Sequence, residues 1–311
     1  MRFPEFSGEW ERCTLGDFGN VITGNTPPTA EYENFDNGTH LWASPADLGT
    51  TKYIESTQTL LSDRGFEKSR SFPANSILVT CIGSTIGKMG MSKTEMASNQ
   101  QINTIVPVQH DANFVYYAVQ SRFPRYLSSI AVQAVPILSK SSFEKLTNYT
   151  TARKEQIKIG NLLSLIDERI DTQKKIIEDL KKLKDAIRTK LFTSLESHCN
   201  EYDEIRNMLH YEQPSAYLVN STEYSEDYPT PVLTANKAFI LGYTDEEQGV
   251  YDKGDCIIFD DFTMDLKYVT FPFKVKSSAI KILTPRQNID LYFIYEYLLY
   301  LGLVSEEHKR H

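Results

Sequence analysis

The chain of 311 residues has few cysteines, four in all. Cys13, Cys81, Cys199 and Cys256 stand far apart with no CxxC step, which excludes a disulfide framework and a cysteine zinc site. Reduced thiols of this kind suit a cytoplasmic protein. The six histidines (His40, His110, His198, His210, His308 and His311) show no HxxxH spacing, so no metal site is expected. Long apolar runs are missing too. The most apolar stretch, Leu291 to Val304, is too short to span a bilayer and carries Glu296, so it reads as a buried amphipathic helix. Met1-Arg2-Phe3-Pro4-Glu5-Phe6 has no apolar segment after its arginine, so no signal peptide is expected.

Catalytic motifs are absent as well. Ile82-Gly83-Ser84-Thr85-Ile86-Gly87-Lys88 looks like a phosphate loop, but only three residues separate its glycines where four are needed, and Met89 replaces the required Ser/Thr. A glycine turn after a strand is the plainer reading. Asn25-Thr26-Pro27-Pro28-Thr29 differs from the Asn-Pro-Pro-aromatic motif of amino-methyltransferases, because Thr26 interrupts it and no aromatic follows. Asp260, Asp261 and Asp265 read as a solvated strand end, and no Ser/His/Asp set can be assembled. The chain is therefore expected to be non-catalytic and to bind no cofactor or metal.

Basic charge is also in short supply. Residues 201–311 carry 10 Lys+Arg against 19 Asp+Glu, a net of −9, whereas residues 151–200 carry 11 against 8, a net of +3. Residues 1–150 carry 12 against 14, a net of −2. This balance by itself does not point to nucleic acid.

What is present is one long helix between two halves that repeat each other. From Arg153 to about Phe192, apolar residues fall at Ile159, Leu163, Ile166, Ile170, Ile177, Leu180, Ile187 and Leu191, a heptad seam with Gln173 and Lys184 at the skipped positions. A rod of roughly 55–60 Å suits a spacer between domains. Before it, Ile77 to Ile82 and Ile102 to Val108 read as strands. Asn113 to Gln120 reads as a helix, Ser139 as the cap of a short helix, and Phe35-Asp36-Asn37-Gly38 as a turn with positive φ. After it the same order returns. Ser76-Ile77-Leu78-Val79 matches Cys256-Ile257-Ile258-Phe259, the strand from Gln101 matches that from Ala279, and Phe114 to Tyr117 match Leu291 to Ile294. A near-constant offset over three segments implies two copies of one α+β module, here 1–150 and 196–311 around a spacer of 151–195. The second copy stops soon after its matching helix.

Trp10-Glu11-Arg12-Cys13-Thr14-Leu15-Gly16-Asp17, Thr23-Gly24-Asn25-Thr26-Pro27, the Ile77-to-Gly87 strand and turn, Asn99-Gln100, Ile137-Leu138-Ser139-Lys140 and Arg153-Lys154-Glu155-Gln156-Ile157 occur in an order and spacing that resemble the specificity subunit of type I restriction–modification enzymes. Leu162 to Glu168 extends the resemblance into the spacer. It implies two target-recognition domains, each reading half of a split site in double-stranded DNA. Modification subunits would carry the cofactor and methylate adenine, and motor subunits would add cleavage. The candidate DNA contacts are Thr26, Ser84, Thr85, Lys88, Asn99 and Gln100 in the first module and Asn236 and Lys237 in the second. Lys88 suits phosphate, while Asn99 and Gln100 suit either adenine or a structural role at the loop end. The family's second spacer helix has no counterpart before His311, so the stripe from Ile159 to Leu191 is expected to seek another chain, a second copy being the simplest. A coiled-coil scaffold, or an acidic decoy that mimics DNA, is the competing reading.

Overall fold

The structure is a computed structural model that describes residues 2–130, 137–199, 201–234, 239–286 and 288–303. The chain forms two compact units, residues 1–174 and 175–311. In unit one the strands are β1 (Glu11–Thr14), β2 (Gly19–Thr23), β3 (His40–Ala43), β4 (Tyr53–Ile54), β5 (Thr59–Leu61), β6 (Ser71–Phe72), β7 (Ile77–Thr80), β8 (Met89–Ser92), β9 (Met96–Ser98), β10 (Ile102–Pro107) and β11 (Thr147–Thr150). The helices are α1 (Asp63–Glu67), α2 (Ala112–Ile130), α3 (Lys140–Glu144) and α4 (Arg153–Glu196), whose second half belongs to unit two. Unit two adds α5 (Ile205–Met208), β12 (Leu209–Glu212), β13 (Thr230–Leu233), β14 (Ile240–Thr244), β15 (Cys256–Asp260), β16 (Leu266–Val269), β17 (Lys274–Val275), β18 (Ile280–Pro285) and α6 (Leu291–Leu301).

The repeat read from sequence is a repeat of topology. The main sheet of unit one runs β2-β10-β7-β8-β4, and that of unit two runs β12-β18-β15-β16, the shared pairs all antiparallel. A second sheet, β5-β3-β9-β6, is matched by β14-β13-β17. Each has one antiparallel neighbour and one parallel neighbour on its central strand. Strand alternation then fills two cores. Ile77 and Val79 of β7 face α2, while Leu78 faces the second sheet. In β15, Ile257 faces α6 and Ile258 the second sheet.

Both long module helices begin on the same cap. Asp111 Oδ1 accepts from Phe114 N at 2.9 Å, and Asp290 Oδ1 accepts from Phe293 N at 2.9 Å. That bond pairs Phe114 with Phe293 rather than with Leu291, a two-residue correction to the sequence alignment. Helix α2 also runs past Gln120 to Ile130, with Pro124 inside it. Ser139 caps α3 as expected, accepting from Ser142 N at 3.2 Å, and Asn37 takes φ +50° in its turn.

Helix α4 extends one turn beyond Phe192, to Glu196. Its first turns lie flush on module one, because Gly160 has no side chain: a Cβ there would stand 2.6 Å from Asp111 Oδ1 and 2.9 Å from Phe114 N. Ile159 and Leu163 are consequently packed against the core of module one. The part of the seam left open starts at Ile166. Ile166, Ile170, Ile177, Leu180, Ile187 and Leu191 are 46–58% exposed. Among the described residues no helix is long and apolar enough to cross a membrane.

Candidate nucleic-acid interface

The Gly24–Pro28 loop is held tightly by its neighbours. A Cβ on Gly24 would stand 2.2 Å from Ser98 O, so only glycine lets the loop approach β9. Asn25 then clamps the loop to the segment before β6. Its Nδ2 donates to Lys68 O at 2.9 Å, and its Oδ1 accepts from Arg70 N at 2.7 Å. Its carbonyl accepts from Trp42 Nε1 at 3.0 Å. This clamp leaves the next residue facing Gln100: Thr26 Oγ1 donates to Gln100 Oε1 at 2.7 Å. One lone pair of that oxygen is taken, and the exposed Gln100 side chain keeps its amide N–H groups and the second lone pair for a base edge. Arg70, also exposed, donates from Nη1 to Thr23 O at 3.1 Å and borders the same surface.

Asn99 sits differently. It is buried, its Oδ1 accepts from Gln101 N at 3.0 Å and its Nδ2 donates to Gln101 Oε1 at 3.1 Å. Its amide shapes the turn into β10.

The glycine turn is a hairpin between β7 and β8, so a strand follows it where a phosphate loop needs a helix. Gly83 and Gly87 take φ +96° and +93°, conformations that side chains resist. The two ends of this turn face different neighbours. Gly83 lies beside Gln101, a Cβ there falling 3.7 Å from Nε2, and after it Ser84 is exposed and Thr85 half-buried. Gly87 is pressed on α2, its Cβ position 2.8 Å from Phe123. Lys88 follows it with its stem against Gly49, on the wall of a cleft of about 660 Å³ lined also by Lys52, Phe123, Leu127, Asp167, Ile170, Asp171 and Lys174. The structure therefore brings Thr26 to Gln100, and sets Lys88 on the wall of the cleft beside Gly49.

Local charge is partly spent internally. Lys68 and Arg64 both pair with Glu31, and the Lys68 bond above all holds that carboxyl below its ordinary range. Asn236 and Lys237 lie outside the described residues. Among the described residues no group of three or more His, Cys, Asp or Glu side chains could hold a metal ion. Asn25 and Arg70 were missed from the sequence. Asn25 was legible only as a turn residue, and nothing local ties residue 70 to residue 25.

Comparison with known proteins bears on these modules. The family model described as the type I restriction modification DNA specificity domain matches residues 7–182. The EcoR124I/EcoR124II specificity subunit of Escherichia coli is 48% identical over 106 residues, which cover 32% of this chain and 26% of that protein. The MjaIX specificity subunit of Methanocaldococcus jannaschii is 26% identical over 218 residues, covering 68% of this chain and 50% of that one. The chain thus spans between a quarter and a half of the length of these relatives. The crystal structure of a type I restriction–modification S subunit from M. genitalium superposes with a TM-score of 0.59 over 94% of this chain and 77% of that one, at 21% identity, which speaks to the fold. With more than half of its length matched by the family model, and the α+β module built twice around a long helix, the chain belongs to the type I restriction–modification DNA specificity family.

Proposed function

We propose that this chain is the DNA-reading, non-catalytic subunit of a type I restriction–modification enzyme, working in the cytoplasm. The observation that carries the reading is the family match over residues 7–182, on a module whose polar face joins Thr26, Gln100 and Arg70. In it each module reads half of a split duplex site. Gln100 contacts a base edge, and Lys88 and Arg70 neutralise phosphate. Modification subunits carry S-adenosylmethionine and methylate adenine, and motor subunits add cleavage. The repeated sheet order in module two favours a second reader over an acidic decoy.

The open face of α4 takes a further helix in this reading. Besides the seam, Leu162, Leu165, Ile176 and Leu183 are exposed, so the apolar stripe is broader than a two-stranded seam requires. A second copy packed antiparallel closes it through a two-fold interface. Sedimentation at micromolar concentration checks this: a dimer is expected, and Ile170→Glu with Ile177→Glu should dissociate it.

The test of DNA reading is co-expression with a type I modification subunit, followed by base-resolved mapping of adenine methylation. Methylation at one split site is expected. Gln100→Ala should relax one base of one half-site, and Lys88→Ala should weaken methylation evenly across sites. Methylation without sequence preference, or its absence, overturns the reading.

A further inference from the structure

Lys52 stands in the loop before β4, at the edge of the surface where α4 meets module one. Its Nζ donates to Asn113 Oδ1 at 2.7 Å, to Ser164 Oγ at 2.7 Å and to Tyr117 OH at 3.2 Å. An ammonium has three donors, and these acceptors use all of them, two on α2 and one on α4. The rings of Tyr53, Tyr116 and Tyr117 surround it at 4.5–5.6 Å from their centroids. Tyr117 carries a second link across, donating to Asp167 Oδ2 at 2.6 Å. Burial pulls the Lys52 ammonium below its ordinary range, opposed by Asp167 and Asp111.

Further back along α4 the helix is held at Gln156, which accepts from Asp111 N at 3.0 Å and meets His110 Nδ1 at 3.0 Å, and at the flush contact of Gly160. Gln156, Gly160, Ser164 and Asp167 follow at steps of four, four and three, so they share one helix face. Past Asp167 the helix wall parts from the module, where Ile170, Asp171 and Lys174 line the open cleft. Gln156 and Gly160 fix where the helix lies. Lys52 and Tyr117 hold it at the last point of contact, where restraint on its direction has most leverage.

We propose that Lys52 is a positioning residue that fixes the direction in which α4 leaves module one. Resting on the DNA reading above, that direction governs the half-site spacing the subunit accepts.

The test is a distance measurement by double electron–electron resonance on the full chain, diluted with unlabelled protein. Nitroxides are placed at Glu67→Cys and Asp179→Cys, with Cys13→Ser and Cys199→Ser as background and with Cys81 and Cys256 buried. A control pair, Glu67→Cys and Glu95→Cys, reports whether module one stays folded. The unaltered junction should give one narrow distance for the 67–179 pair. Lys52→Met keeps the stem among the rings and removes the three bonds. It should broaden or shift that distance, a tilt of ~10° over the ~22 Å of helix between residues 164 and 179 moving the label by about 4 Å. Ser164→Ala, which removes the helix-side acceptor alone, should broaden it in the same sense, and it decides the matter if Lys52→Met disturbs the control pair. Unchanged mean and width in both variants would overturn the proposal. No DNA enters the measurement, so its failure is separate from failure of the DNA reading.

Discussion

Module one and module two grip α4 from the same place with opposite chemistry. The shared aspartate cap aligns Asp111 with Asp290, which sets Tyr117 of α2 on Glu296 of α6. In module one that position is a donor: the Tyr117 hydroxyl donates a hydrogen bond to Asp167, and Lys52 beside it donates to Ser164. In module two it is an acceptor: Glu296 takes Lys184 and Arg188, each at 2.7 Å. Burial pushes the Glu296 carboxyl up, but the bonds from those two cations outweigh it and hold the group below its ordinary range. Module two adds an aromatic cluster in which Phe192 of α4 packs on Phe293, Tyr297 and Tyr300. Duplication preserved the scaffold and its cap, and the contact with the helix diverged to suit the half of the helix each module holds.

The sharpest way to break this comparison is Phe192→Ala. Truncating a buried aromatic costs about 3–5 kcal/mol, and the loss should fall on module two alone. Segment-resolved hydrogen exchange should show lost protection at 185–199 and 291–301 with 77–119 unchanged; an equal loss in both modules would mean the two grips are not separate. Glu296→Leu comes next, at about 2–4 kcal/mol, because Arg188 is left nearly buried with only Asp185 beside it. Tyr117→Phe at the equivalent position should cost less, about 1–2 kcal/mol, since it removes the bonds to Asp167 and from Lys52 but leaves Lys52 with Asn113 and Ser164 as acceptors. Urea denaturation of the two variants orders them, and equal costs would erase the contrast in polarity.

A last contrast is one of pH. Glu246 in module two is held down to about 2, chiefly by the Lys274 bond and then by the Ser221 and Asn220 backbone N–H groups. Its folded value lies below the ordinary 4.5. Its contribution is therefore complete above pH 4.5 and is lost as the pH falls toward 2. Exchange protection around 218–221 and 244–249 should decline over that window, and Glu246→Gln should remove the decline.

Which parts of this were legible in sequence follows from range. Strands such as β7 and β10, the Ser139 cap, the Asn37 turn and α4 are set by neighbours a few residues away. The repeat was legible where its offset stays near 179, and it faded upstream. Val21 and Tyr211, like Trp42 and Val232, occupy matching places 190 residues apart, because module one holds extra chain between β3 and β7. The helix grips were not legible at all. Lys52, Asn113, Tyr117 and Ser164 share no motif and no period, and they meet only after both sheets have formed. Lys184 shows the limit of reading one element alone: it stands at a skipped position of the seam, and only the folded chain brings its ammonium to Glu296 of α6. The candidate interface was half legible. Thr26 and Gln100 do meet, while the buried Asn99 was indistinguishable from a surface-facing amide until the turn into β10 was in view.

The two tryptophans of the chain both lie in module one. Trp10, 40% exposed, tilts against Phe114 at 5.7 Å beside the seat of α4, and Trp42, 9% exposed, donates to Asn25 beneath the Gly24–Pro28 loop. Indole emission is therefore a built-in dye confined to one half of the protein. Quenching or a colour shift from Trp42 would register a duplex arriving over that loop, Trp10 would register movement at the helix seat, and Trp10→Phe would separate the two signals without any label.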